Sequence, residues 1–264
     1  MKIAVSGKGG VGKTTLAAGL VHYLAGCGYT VYAVDADADA SLGLALGLPE
    51  EVVSNLAPVV DMREDVARAT GGSGAFFSLN PDANQLLSRF TLRLGSILFL
   101  KMGSVKQGGT SCYCRENSVL HALVSSLLLE KQEVVVMDMS AGIEHLTRGT
   151  ARGVDLMLVV TEPSRASLQT ARLVARLATD LGVSRVKFIG NKVRSEAERD
   201  LISAALSPGD MLGNIPFAEA IWQGSMAGGQ DNGPVLTPEM EEVVGRIVSL
   251  IVDTEEKVAC SAGK

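Results

Sequence analysis

The chain is short of the features that would tie it to a membrane, a nucleic-acid backbone or an oxidising compartment. None of its apolar runs approaches the roughly 18 residues of a membrane-spanning helix. It has no long basic run and a net charge of −5, so a polyanionic nucleic acid is not the expected partner. Its four cysteines follow no disulfide-framework spacing and fit a reducing environment. A strand-like apolar run starts at Ile3, which leaves no space for a signal peptide ahead of it. The C-terminal segment reads as an amphipathic helix over residues 238–252, with Met240, Val243, Val244, Ile247, Val248 and Ile251 at helical spacing. Asp253, Glu255 and Glu256 follow it, so packing on the core is expected there rather than attraction to a membrane surface. Internal repeats, low-complexity tracts and Pro/Ser linkers are also missing. What remains, 47% hydrophobic and 20% charged, suits one large domain over residues 1–264, soluble and cytoplasmic.

Against those absences stands a regular alternation. Apolar runs at 3–5, 30–34, 97–102, 133–138, 155–161 and 186–190 read as strands, and 75–79 reads as a further one. Helical stretches begin after residue 15, over 117–129, and from a Ser164 cap to about residue 181. The strands are apolar on both faces, as strands covered by helices on either side must be. The pattern predicts an α/β fold with a doubly wound, mainly parallel sheet.

The organising stretch is Gly7-Lys8-Gly9-Gly10-Val11-Gly12-Lys13-Thr14-Thr15. It lies between the first strand and the first helix, the context a phosphate-binding P-loop requires. Its glycines allow backbone N–H groups to turn inward around anionic oxygens, and the helix N-terminus adds the positive end of its dipole. Gly9, Gly10, Val11, Gly12, Lys13, Thr14 and Thr15 are therefore the expected nucleotide cradle. In it, Lys13 would reach the β- and γ-phosphates and Thr14 would offer its hydroxyl to Mg²⁺. Asp138 ends an almost wholly apolar strand and suits the carboxylate that holds Mg²⁺, most readily through water.

With Lys8 ahead of Lys13, the loop resembles the deviant Walker A loop. That family contains the nitrogenase iron protein, septum-site and plasmid-partition ATPases, tail-anchored-protein targeting ATPases and metal-insertion ATPases. The resemblance implies a homodimer in which Lys8 reaches the partner's nucleotide and supplies positive charge to the transition state. It also implies that Asp37, in the Asp35-Ala36-Asp37-Ala38-Asp39 run closing the second strand, positions the attacking water. Asp35 or Asp39 would bond the loop or contact Mg²⁺ through water.

Further along, Gly108-Gly109-Thr110-Ser111-Cys112-Tyr113-Cys114-Arg115-Glu116 places two thiols one residue apart before a helix. Thiolates are soft ligands for zinc, nickel or an iron–sulfur cluster, but two are too few for a closed site. A two-fold axis would supply four; the alternative is two cysteines simply packed beside a loop. This stretch, the 137–150 segment and Asn191-Lys192-Val193-Arg194 are similar to the CooC-type carbon monoxide dehydrogenase maturation ATPases, over roughly residues 1 to 220. The resemblance implies a nickel-insertion ATPase that uses ATP/ADP and Mg²⁺. Cys112 and Cys114 would bind Ni²⁺ or Zn²⁺ between subunits, with carbon monoxide dehydrogenase or a similar nickel enzyme as client. Ser140 stands where that group leads one to expect glycine, and Ala141-Gly142 would form the γ-phosphate-sensing switch. His145, at a helix start in that switch, would touch a metal or partner or be an ordinary surface histidine.

Asn191-Lys192 also resembles the base-reading pair of P-loop GTPases. Arg194 occupies the place of their guanine-binding Asp and has no acceptor, so adenine is expected instead. Residues 213–217, with Pro216 and Phe217, resemble the loop that closes over the base; a plain turn before a helix is the alternative. Two rival functions remain: an iron–sulfur electron donor like the nitrogenase iron protein, and a positioning or partition module like the septum-site and plasmid-partition ATPases. The first draws its ligands from two loops and this chain has one. The second needs a basic surface that is missing here.

Overall fold

The computed structural model describes residues 1–37, 41–59, 61, 90–103, 132–139, 153–226 and 233–262. Among them, β1 (Lys2–Gly7), β2 (Thr30–Ala36), β3 (Leu92–Leu94), β4 (Ile97–Lys101), β5 (Glu133–Met139), β6 (Leu156–Thr161), β7 (Val186–Val193) and β8 (Met211–Pro216) form one sheet. Its order is β3-β4-β2-β5-β1-β6-β7-β8, and every pairing is parallel except the short β3 edge against β4. The expected doubly wound α/β fold is what forms. The chain runs outward from β1 to β2 on one side and later from β6 to β8 on the other. β1 therefore lies at the reversal of strand order, where such sheets bind ligands at their carboxyl ends.

The period of two along each strand divides the core. Ile3, Val5, Val134 and Val136 face one layer; Ala4, Val135 and Met137 face the other. Helices α1 (Lys13–Gly26), α2 (Leu42–Ala45) and α7 (Pro238–Ala262) cover the first layer through Leu16, Leu20, Leu24, Leu42, Val244 and Ile247. Helix α4 (Arg165–Asp180) covers the second with Leu168, Ala171, Val174 and Ala178, and α5 (Glu196–Ala205) adds Ile202. Both faces are dry, which is why these strands read as continuous apolar runs. The remaining helices are α3 (Glu50–Asn55) and α6 (Glu219–Met226).

The Ser164 cap forms as expected: its hydroxyl accepts from Ser167 N at 3.2 Å. Ser195 caps α5 in the same way, accepting from Glu198 N at 3.3 Å. That helix carries one buried apolar residue, Ile202, and its apolar pattern alone does not announce it. Residues 213–217, expected as a loop, mostly belong to edge strand β8, and the last of them, Phe217, donates its N–H to Val193 O at 3.0 Å. Helix α7 extends well beyond residue 252, the end expected from its apolar spacing. The strand expected at 75–79, the helix at 117–129, and Asp39, Cys112, Cys114, Ser140, Ala141, Gly142 and His145 lie outside the described residues. Among the described residues, no helix is long and apolar enough to cross a membrane.

Candidate functional site

β1 delivers the chain to the P-loop at the carboxyl edge of the sheet, and α1 carries it away. The turn between them has backbone angles that few residues allow. Gly12 sits at φ 96° as the N-cap of α1, where a Cβ would collide with the Asn191 side-chain nitrogen. Gly7, at φ 145°, would collide with the Val160 carbonyl of β6. The loop therefore packs directly against two neighbouring strand ends. Val11 is buried beneath it, and Lys13 is 7% exposed, with its ammonium 3.4 Å from Lys8 O. Lys8 is partly exposed at the loop's start, and Gly9 is exposed beside it.

Two carboxylates lie below the loop. Asp35 and Asp138 are register partners across β2 and β5, and both are fully buried. Asp35 is held by two backbone donors, Leu42 N at 2.8 Å and Asp37 N at 3.2 Å. Burial, and then the neighbouring Asp138 charge, push its pKa up to about 7, against those two bonds. Neither oxygen of Asp138 has a hydrogen-bond partner among the described residues. Burial pushes its pKa up to about 6; the nearby Thr14 hydroxyl and then the Lys13 ammonium oppose that rise. A buried carboxylate with two bare oxygens is costly unless a cation or donor reaches it. Thr14, whose hydroxyl is 3.3 Å from Ser41 Oγ, and Asp138 thus form a hard-oxygen set suited to Mg²⁺. The anticipated loop-bonding role of Asp35 is seen in its two backbone bonds. They tie the end of β2, and Asp37 just after it, to the start of α2.

The opposite wall of the cradle comes from the end of β7. Asn191 donates its amide to Val11 O at 2.7 Å and accepts from Lys192 N at 2.9 Å. Lys192, in left-handed conformation at φ 59°, donates its ammonium to Gly10 O at 2.6 Å. These two residues grip the outward carbonyls of the P-loop. Arg194 stacks its guanidinium 4.2 Å from the Phe217 ring centroid.

Between the walls is a cavity of about 270 Å³. Gly10, Gly12, Lys13, Thr14 and Thr15 line its polar end, with Asn191 and Lys192 alongside. Ile215, Pro216, Phe217, Ile221, Trp222 and Met240 line its apolar end. The cavity thus brings Pro216 and Phe217 together with the P-loop. It adds Ile221, Trp222 and Met240, which sequence reasoning missed, as it missed Ser41 beside the Thr14 hydroxyl. Met240 read only as one tooth of an amphipathic face, and Trp222 is the chain's single tryptophan, which was the available signal. Among the described residues, no group of three or more His, Cys, Asp or Glu side chains could hold a metal ion.

Residues 2–228 match the CobQ/CobB/MinD/ParA nucleotide binding domain family. The carbon monoxide dehydrogenase accessory protein CooC of Rhodospirillum rubrum is 41% identical over 231 residues, which is 86% of this chain and 88% of that protein. An uncharacterized ATP-binding protein of Methanocaldococcus jannaschii is 38% identical over 95% of this chain and 98% of its own length. Among solved structures, the cell division ATPase MinD of Pyrococcus furiosus superposes with a TM-score of 0.64 at 21% identity, covering 94% of this chain and 98% of that one. At that identity the likeness speaks for the fold alone.

Proposed function

Because the chain belongs to the CobQ/CobB/MinD/ParA nucleotide-binding family of P-loop ATPases, we propose that it is a dimeric, Mg²⁺-dependent ATPase that assists nickel insertion into carbon monoxide dehydrogenase or a similar nickel enzyme. The observation that carries the hydrolytic part is Asp138, bare and buried beneath a complete P-loop. Thr14 and Asp138 would hold Mg²⁺, which when bound supplies charge neutralisation at the phosphates. The N–H groups from Gly9 to Thr15 cradle the phosphate oxygens, and Lys13 adds a fixed positive charge beside them. Asp37, on the strand end that Asp35 braces, orients a water in line with the γ-phosphorus. The water oxygen bonds to that phosphorus as the bridging bond to the β-phosphate breaks, leaving ADP and inorganic phosphate. Positioning matters more here than basicity, because an ordinary carboxylate is a weak base. Asn191 and Lys192 brace the loop from outside and border the nucleoside, and Pro216 and Phe217 lie beside the base.

Likeness to the CooC accessory protein supports the maturation role. In this reading the whole chain, residues 1–264, acts as one cytoplasmic domain and pairs with a second copy, each Lys8 approaching the other's phosphates. Cys112 and Cys114 of both copies hold the cargo, nickel or in its place zinc, and neither membrane nor nucleic acid takes part. Dimer, nucleotide and cargo are then linked: whatever ATP does to metal affinity, the metal does equally to ATP affinity. Nickel or zinc titrations with and without a nonhydrolysable ATP analogue test this, and metal affinities unchanged by the analogue would defeat it. The double variant Cys112→Ala/Cys114→Ala should lose the metal and keep nucleotide affinity. Metal still bound at full stoichiometry would place the ligands elsewhere. Lys8→Ala should lower turnover about a thousandfold while ADP binding stays intact.

A further inference from the structure

The cavity has two chemically distinct ends, and only one is accounted for by phosphates. Its far end is formed by the last residues of β8 and the first turns of α6, with Met240 of α7 as floor. These side chains offer area and almost no hydrogen-bonding capacity. One of them, Trp222, lines the cavity and is 50% exposed overall, a large aromatic side chain half open to water. The polar side chains Asn191 and Lys192, which line the same cavity, are engaged with the P-loop. Asn191 spends one amide hydrogen on Val11 O and its oxygen on Lys192 N, and Lys192 bonds Gly10 O. One face of Phe217 is already taken by the Arg194 guanidinium.

We propose that Trp222 is a base-binding residue: the purine of the nucleotide lies against its indole at the apolar end of the cavity. Recognition of the base would then rest on stacking and burial rather than on a hydrogen-bonded pattern. The inference deepens the nucleotide reading above and rests on it. The direction of the ligand follows from the cavity. The P-loop takes the anionic end, so the flat, weakly solvated end of the ligand meets the apolar wall. Aromatic surface exposed in the empty protein becomes covered, which favours binding without costing the site a polar partner. α6 starts three residues after β8 ends, so the strand that pairs with β7 also sets the position of the indole.

Trp222 is the chain's one tryptophan, so its emission reports on this residue alone. The experiment titrates the full-length protein with MgADP and, separately, with magnesium tripolyphosphate, following emission and, by calorimetry, binding. MgADP should change the emission, and saturating tripolyphosphate should bind and leave it unaltered. Trp222→Ala should weaken MgADP about tenfold and leave tripolyphosphate affinity unchanged, whereas Trp222→Phe should hold MgADP within about threefold. An alanine variant that binds MgADP like the parent would overturn the base-binding role while leaving the ATPase reading in place. So would an emission change as large with tripolyphosphate as with MgADP. If neither MgADP nor tripolyphosphate binds, the nucleotide reading fails and takes this inference with it.

Discussion

β5 and β6 flank β1 on its two sides, and each carries a buried polar residue at or next to its last position, Asp138 on one and Thr161 on the other. The two strand ends treat that residue in opposite ways. Thr161 shares a 2.9 Å hydroxyl contact with Ser167 Oγ. Ser167 Oγ also accepts from Glu162 N at 3.1 Å, and Ser167 N donates to the Ser164 cap. Every polar group in that cluster is answered within a few residues of chain. Asp138 has a charge to satisfy, with the Thr14 hydroxyl and Lys13 ammonium nearby but no donor in hydrogen-bonding geometry among the described residues; its register partner is a second acid, Asp35. The difference shows what each end is for. The closed cluster at β6 stabilises the start of α4 and asks nothing of a ligand. In the proposed reading the open one at β5 is completed by a cation, and stability is given up there for binding.

The largest effect should come from removing the unanswered charge. Asp138→Asn should lower Mg²⁺-dependent phosphate release by a hundredfold or more. The same change should raise the melting temperature of the nucleotide-free protein at pH 8, because Asp35 no longer faces a second carboxylate. A variant that melts lower and hydrolyses normally would erase the contrast between the two strand ends.

The pH dependence sharpens it further. Asp35 and Asp138 titrate near 7 and 6 in the fold, above the ordinary carboxylate value. Between about pH 4 and 7 the folded chain therefore holds protons that the unfolded chain has released, and stability from these groups falls as pH rises. Melts of the nucleotide-free protein should show that downward slope, and saturating MgADP should flatten it. The β6 cluster has no carboxylate of this kind, so Ser167→Ala should leave the slope unchanged. It should cost about 1–3 kcal/mol in denaturant titration, by stranding the Glu162 N–H and leaving the Thr161 hydroxyl only its 3.4 Å contact with Glu162 O, with turnover per folded molecule preserved. Ser164→Ala, at the rim of the same cluster, should cost about 1 kcal/mol through the lost cap.

Much of this arrangement is legible in the sequence. A P-loop is recognisable in one dimension because its geometry is local: glycines at fixed spacing, a lysine and a threonine at the start of a helix. Gly7, Gly12, Lys13 and Thr14 stand where that spacing put them, and the Ser164 cap forms for the same reason. Asp138 was legible as the acid ending an apolar strand. β3, α5 and β8 were not. β3 is three residues long and α5 buries a single apolar side chain, so neither carries a strong period. β8 mixes Gly213, Asn214 and Pro216 into an edge strand and reads as a turn.

The residues themselves determined the sheet's parallel character, the phosphate cradle and the family, since each depends on pattern within a few turns of chain. Tertiary structure alone decided that Asp35 would stand beside Asp138, that Asn191 and Lys192 would hold the loop carbonyls, and that Trp222 would face the cavity. Those contacts join segments about 100 to 210 residues apart in the chain. Nothing in the local sequence encodes such distances. They are set by which strand ends the doubly wound sheet brings to one edge.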